Sequence, residues 1–137
     1  LVIANSGITG PTLAGLSKDA SILQFRDHLQ KWEVDDINNV FAVNTTAVLS
    51  TLIAFLELLD KGNKASNVEQ KSQFVAVASA GAVCRTSLSG YPYNVSKSAT
   101  VHMMKMFATR LVDFDIRANT ISPGCKLNDN VDVVIHD

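Results

Sequence analysis

Apolar residues fall along this chain in two styles, short unbroken runs and longer stretches with helical spacing. Residues 1–4 read LVIA and residues 74–78 read FVAVA. Wholly apolar runs of this length suit strands buried on both faces, and residues 116–121 (IRANTI) are read as a third strand. A weaker helical pattern spans residues 21–31, with Ile22, Leu23, Phe25 and Leu29 as its apolar positions and Trp32 packed at its end. A stronger one runs through residues 35–60, where Ile37, Val40, Phe41, Val48, Leu49, Leu52, Ile53, Phe55, Leu56 and Leu59 recur at helical intervals. Asp35 and Asp36 favour its start and Gly62 its stop. Residues 61–73 read as a polar loop, and residues 91–112 form the last long helix. Ser122-Pro123-Gly124 ends the third strand.

Strands alternating with long helices predict an α/β domain with parallel pairing through right-handed crossovers. If the three strands lie in chain order, both crossovers place their helices on one face. The opposite face and the outer edge of the first strand are then bare, although strands this apolar expect cover on both sides. The chain also opens at Leu1, inside an apolar run and with no lead-in. Both features lead us to expect a piece of something longer, poorly behaved in solution.

Composition narrows the class. With 137 residues, 47% hydrophobic and 18% charged, the chain has the size and make-up of one soluble globular domain. A net charge of −1 with no basic patch argues against a nucleic-acid partner. No apolar run is read as reaching the roughly 18 residues of a membrane span, and no secretory leader is seen. Cys84 and Cys125 form no disulfide framework or metal spacing, which suggests a reducing, cytoplasmic setting. His28, His102 and His136 show no ligand spacing, so no metal site is expected.

The candidate chemistry centres on residues 74–124. Tyr93 and Lys97 are four apart at the start of a helix, which puts both on one helical face. Ser79 closes the preceding strand, fourteen residues before Tyr93. A phenol, an ammonium and a hydroxyl so combined can handle the proton that accompanies reduction of a carbonyl. A phenol, with an ordinary pKa of about 10, is a poor base at neutral pH, and an ammonium one turn away favours the phenolate. Tyr91 is the competing phenol, but six residues from Lys97 it lies off that face. The run Val77-Ala-Ser79-Ala-Gly81 lacks the first glycine of a nucleophile elbow. Two N-glycosylation sequons, at Asn44 and Asn94, fall in predicted helices and are read as chance. The cluster Met103, Met104, Met106 and Phe107 is read as core or interface packing.

Taken together, these segments resemble the short-chain dehydrogenase/reductases over residues 1–124. The likeness rests on five elements in order: IANSG at residues 3–7, FAVNTTAV at 41–48, VASAG at 77–81, the Tyr93-x-x-x-Lys97 pair, and IRANTISPG at 116–124. The phrase AFLELLDKGNK is similar to the family's fungal branch. The resemblance implies a partial Rossmann fold, the C-terminal half of a doubly wound sheet. It would begin near the family's fourth strand and carry a divergent tail at residues 125–137. It implies interconversion of a small carbonyl and a secondary alcohol with NAD or NADP. Tyr93 would be the proton donor or acceptor, Lys97 its partner and the holder of the nicotinamide ribose, and Ser79 a hydrogen-bond donor to the substrate oxygen. Asn44 would hold a water linking the lysine to solvent. Asn5, Gly7, Pro123 and Gly124, with Tyr93 and Lys97, would face the cofactor. Helices 35–60 and 91–112 would form a homodimer interface.

The sequence departs from the pattern in instructive places. The glycine-rich motif TGxxxGxG that would hold the pyrophosphate is absent from these residues, and GITGPTLAG at residues 7–15 has the wrong spacing to replace it. It is read as a loop bordering the site. Ala4 and Ser6 stand where the strand-end element has asparagine and alanine, which is expected to weaken pairing there. No threonine follows Pro123-Gly124, and the segment VDVVI in the tail is left open as a stray strand. The alternative to an enzyme is therefore a non-catalytic fragment, at most a dimerisation partner.

Overall fold

The computed structural model describes residues 1–87 and 89–124. The tail at 125–137, its VDVVI segment and Cys125 lie outside the described residues. Three strands, β1 (Val2–Ala4), β2 (Gln73–Val77) and β3 (Arg117–Ile121), form one parallel sheet in that order. Helices α1 (Ile22–Leu29) and α2 (Val34–Phe41) follow β1. A widened π turn, Ala42–Thr46, joins α2 to α3 (Ala47–Ala65), and α4 (Tyr91–Arg110) connects β2 to β3.

Register decides which side chains meet the helices. Val2, Phe74 and Ala118 align across the sheet, as do Ala4, Ala76 and Thr120. Phe74, Ala76 and Ala118 share one buried cluster with Val48, Leu52 and Leu59 of α3 and Met104 of α4. Side chains alternate along a strand, so the row Ile3, Val75 and Asn119 faces the other way. Ile3 and Ile121 are 52% and 53% exposed there. The helices thus lie on one face, as expected. Ala4 is in register with Ala76, so pairing reaches the residue where weakening was expected.

Local chemistry explains most boundaries. Ser21 caps α1 in a capping box with Gln24, each side chain bonding the other's backbone amide. At α2 the cap position is Glu33, without a side-chain bond, and Asp35 and Asp36 occupy the first turn. There the carboxylates still oppose the positive end of the helix dipole. The expected stop at Gly62 is corrected, because α3 continues to Ala65 and ends at Ser66, whose φ is 48°. Gly62 serves another need. A Cβ there would sit 3.1 Å from Ser72 Oγ, so glycine lets the returning chain approach. Asn63 ties that return by accepting from the Ser72 amide at 2.7 Å and donating to the Asp115 carbonyl at 2.9 Å. The cluster read as core or interface packing divides in the structure. Met104 is buried and Met103 and Phe107 pack against the core, but Met106 is 61% exposed.

The helical stretch Val34–Ala65 contains an 18-residue window of mean hydropathy 1.7. One helix is therefore long and apolar enough to cross a membrane, contrary to the sequence expectation. Its Val40, Val48, Leu52 and Leu59 are buried within the domain, while 22% of that window is buried in all.

Candidate active site

The carboxyl ends of the strands carry the candidate residues. A cleft of about 280 Å³ is lined by Asn5, Gly7, Ile8, Thr9, Val77, Ala78, Ser79, Tyr93, Lys97 and Pro123. The structure thus brings together Ser79 from beyond β2, Tyr93 and Lys97 from α4, Asn5 and Gly7 from beyond β1, and Pro123 from beyond β3. Gly124 is not among the lining residues and lies near Ala80. Tyr91 also stays outside, tilted against Trp32 with ring centroids 6.2 Å apart.

Ser79 is set by its own turn. It begins the short 3₁₀ turn Ala80–Ala82, and its Oγ accepts from the Gly81 amide at 3.1 Å. That bond occupies a lone pair, so the hydroxyl proton is available to an acceptor in the cleft. Tyr93 and Lys97 share a face of α4 as their spacing predicts, with Lys97 Nζ 5.9 Å from the Tyr93 ring centroid. Lys97 is buried and carries the only charge among the lining residues. Its ammonium donates to the Val77 carbonyl at 2.7 Å. Among the described residues no carboxylate lines this cleft, and desolvation holds its pKa below the ordinary lysine value.

Asn44 sits behind the cleft, fully buried in the π turn. Its Oδ1 accepts from the Ile8 amide at 2.9 Å, and its Nδ2 donates to the Ile8 carbonyl at 2.9 Å and to Ser96 Oγ at 3.0 Å. The carboxamide is thus committed to tying the loop after β1 to α4. The Asn44 carbonyl accepts from Thr100 Oγ1 at 2.7 Å. Ser96 Oγ in turn donates to the Tyr93 carbonyl at 2.7 Å, and Thr45 Oγ1 donates to the Ser96 carbonyl at 3.0 Å. Sequence reading missed Ser96 and Thr100. Their signal was present in their spacing of three and seven residues after Tyr93, on the flank of the face that carries Lys97.

Glycines allow the close approaches that this arrangement needs. A Cβ on Gly7 would lie 3.1 Å from Lys97 Nζ and 3.3 Å from Asn44 Oδ1. Gly90, at φ +88°, lets the start of α4 meet the loop after β1, where a Cβ would fall 2.1 Å from the Pro11 carbonyl oxygen. Gly7, Ile8 and Thr9 line the cleft, so the segment 7–15 does border the site.

Comparison with known proteins places these features in context. A family model described as enoyl-(acyl carrier protein) reductase matches residues 7–131. The chain is 37% identical over 124 residues to the short-chain dehydrogenase/reductase PhomF of Diaporthe leptostromiformis, covering 90% of this chain and 42% of that protein. It is 39% identical over 140 residues to the short-chain dehydrogenase/reductase SAT3 of Stachybotrys chartarum, covering 90% and 51%. The chain therefore spans about half the length of the curated relatives it matches. Among solved structures, the Pseudomonas aeruginosa RhlG/NADP active-site complex superposes with a TM-score of 0.68 at 23% identity, covering 89% of this chain and 41% of that one. The 3-ketoacyl-(acyl-carrier-protein) reductase from Brucella melitensis complexed with NADH gives 0.68 at 20%, covering 89% and 43%. At these identities the structural likeness is one of fold.

Proposed function

This chain belongs to the short-chain dehydrogenase/reductase family, and from that premise we propose that it carries the proton-handling half of a nicotinamide-dependent oxidoreductase. The substrate class is a small carbonyl compound or secondary alcohol. The observation that carries this reading is the convergence of Ser79, Tyr93 and Lys97 on one cleft.

The residues present fit the nicotinamide end of a dinucleotide. Gly7 leaves open a space that a Cβ would fill beside Lys97 Nζ, and Asn5 and Pro123 line the same cleft. Lys97, Tyr93, Asn5, Gly7 and Pro123 would hold that end, and the dinucleotide, when bound, supplies the hydride. The sequence holds no glycine-rich turn for the pyrophosphate. We therefore expect the 137-residue chain alone to bind NADH or NADPH more weakly than micromolar.

In the reductive direction Ser79 donates its free proton in a hydrogen bond to the carbonyl oxygen and orients it. Tyr93 transfers its phenolic proton to that oxygen as the alcohol forms, and takes one back in the oxidative direction. Lys97 keeps a positive charge near the phenol and favours its deprotonated form, while the Val77 carbonyl fixes where that charge sits. Asn44 holds the loop after β1 against α4 and so keeps the two walls of the cleft at a set separation.

The test is consumption of NADH and NADPH against a panel of ketones and aldehydes by the gene product carrying these residues. Tyr93→Phe should lower turnover by roughly 10²–10⁴-fold, with the fold unchanged by circular dichroism. Activity surviving the substitution within about tenfold would remove Tyr93 from the reaction. We further propose that α3 and α4 pair two copies, since Ile53, Leu58, Val95 and Met106 expose apolar surface on these helices.

A further inference from the structure

Ser98 follows Lys97 in sequence but turns away from the cleft. Its Oγ lies 2.5 Å from the Ala82 carbonyl and 3.0 Å from the Asn94 carbonyl. A hydroxyl has one proton, and the shorter contact takes the larger share of it. Ala82 closes the turn that begins at Ser79, with its amide donating to the Ser79 carbonyl at 3.0 Å. The turn packs along α4, and just beyond it Asn94 Nδ2 donates to the Thr86 carbonyl at 3.4 Å. The Ala80 amide donates to the Pro123 carbonyl at 2.9 Å. Gly81 approaches Asn94 so closely that a Cβ would lie 2.9 Å from its Oδ1. Beyond the turn, Val83 is 83% exposed and residues 84–86 are exposed as well. Among the described residues, apolar packing at 83–86 does little to hold that stretch against α4.

We propose that Ser98 is a positioning residue that latches the Ser79 turn onto α4 and thereby sets the direction of the Ser79 hydroxyl. The proposal rests on the reading of Ser79 as a hydrogen-bond donor to the substrate. The Ala82 carbonyl belongs to the Ala82–Val83 peptide and the Gly81 N–H to the Ala80–Gly81 peptide, so pinning Ala82 acts through the 3₁₀ turn Ala80–Ala82 that holds both and keeps the Gly81 N–H aimed at Ser79 Oγ. That donor holds the oxygen's lone pair, and the proton of Ser79 is left for the cleft. Without the latch the turn drifts from α4, the Gly81 bond weakens, and the Ser79 hydroxyl rotates freely. Ser98 does this without lining the cleft.

Amide hydrogen exchange in the full chain, comparing wild type with Ser98→Ala and Ser98→Thr, tests the latch. In Ser98→Ala the Gly81 and Ala82 amides should exchange about tenfold faster, the loss of roughly one neutral hydrogen bond. The Val75 and Ala76 amides of β2 should not change, and Ser98→Thr, which keeps the hydroxyl, should restore protection. Unchanged Gly81 exchange in Ser98→Ala would overturn the proposal. So would equal acceleration at β2, which marks a global loss of stability, or failure of Ser98→Thr to rescue. In the active gene product, Ser98→Ala should lower kcat and kcat/KM together, as expected when an interaction made in the transition state is lost. An exchange effect without any oxidoreductase activity would leave the latch standing and remove the proposed reaction instead.

Discussion

Replacing Asn44 by alanine tests how far the buried carboxamide holds the site together. The side chain makes three hydrogen bonds, two with the Ile8 main chain and one with Ser96 Oγ. Truncation leaves the Ile8 amide and carbonyl without these partners in a partly buried position. Ser96 Oγ keeps its bond to the Tyr93 carbonyl and loses only a donor. Removing one partner of a buried hydrogen bond costs about 1–3 kcal/mol. Discounting Ile8 for partial burial and Ser96 for its remaining bond, the total comes to about 3 kcal/mol. For a domain of this size that lowers the midpoint by roughly 10 °C. Urea and thermal unfolding followed by the fluorescence of Trp32, the sole tryptophan, measure it. Asn44→Asp adds a second check, because it keeps the acceptor for the Ile8 amide but turns the donor into an oxygen facing the Ile8 carbonyl. Burial raises that carboxyl's folded pKa above its unfolded value. The variant should therefore gain stability as pH falls through the raised folded pKa toward the unfolded value near about 4. A midpoint for Asn44→Ala within about 2 °C of wild type would refute the view that this residue ties the loop to α4.

Three other outcomes follow from geometry and charge. Burial depresses the pKa of Lys97, so between that lowered value and the ordinary 10.5 the unfolded chain binds more protons than the folded one. Stability of wild type relative to Lys97→Met should rise with pH through this window and flatten above it, and a flat difference in urea titrations across the window would contradict the assignment. Gly90→Ala should cost roughly 3 kcal/mol or more, since positive φ and a collision with the Pro11 carbonyl act together. Gly15→Ala, also at positive φ but with nothing nearby, should cost only about 1 kcal/mol; equal losses in thermal melts would rule out the close approach. If α3 and α4 pair two copies, Ile53→Glu with Met106→Glu should convert a dimer to a monomer in sedimentation, and an unchanged dimer would place the interface elsewhere.

The first two strands were legible as short apolar runs, and the parallel order followed from strands alternating with long helices. Tyr93 and Lys97 were legible because their chemistry is carried by spacing along a single helix. What escaped sequence reading depends on contacts between elements. Gly62 looks like a stop, yet only the fold reveals that Ser72 returns over it. Ser96, Ser98 and Thr100 read as ordinary polar helix positions, because the local bonds they make to residues 93, 94 and 96 are commonplace and their long-range bonds to residues 44 and 82 leave no local pattern. Met104 and Met106 are read alike by type and neighbourhood, and two residues' rotation about α4 decides that the first is buried and the second exposed.

The π turn at Ala42–Thr46 also carries a lesson about tolerance to change. A single wide turn absorbs roughly one residue beyond the regular helical count, so the helix on either side keeps the facing it would have without that residue. Deleting one residue there would restore a uniform helix with Val48, Leu52 and Leu59 still on the sheet, whereas one residue added within α3 has no wide turn to absorb it and would rotate those that follow by about 100°. Loss of a solvent-facing residue at this spot, Ala42 or Thr46, is therefore better tolerated than a change of length inside α3, provided the buried Asn44 keeps its place.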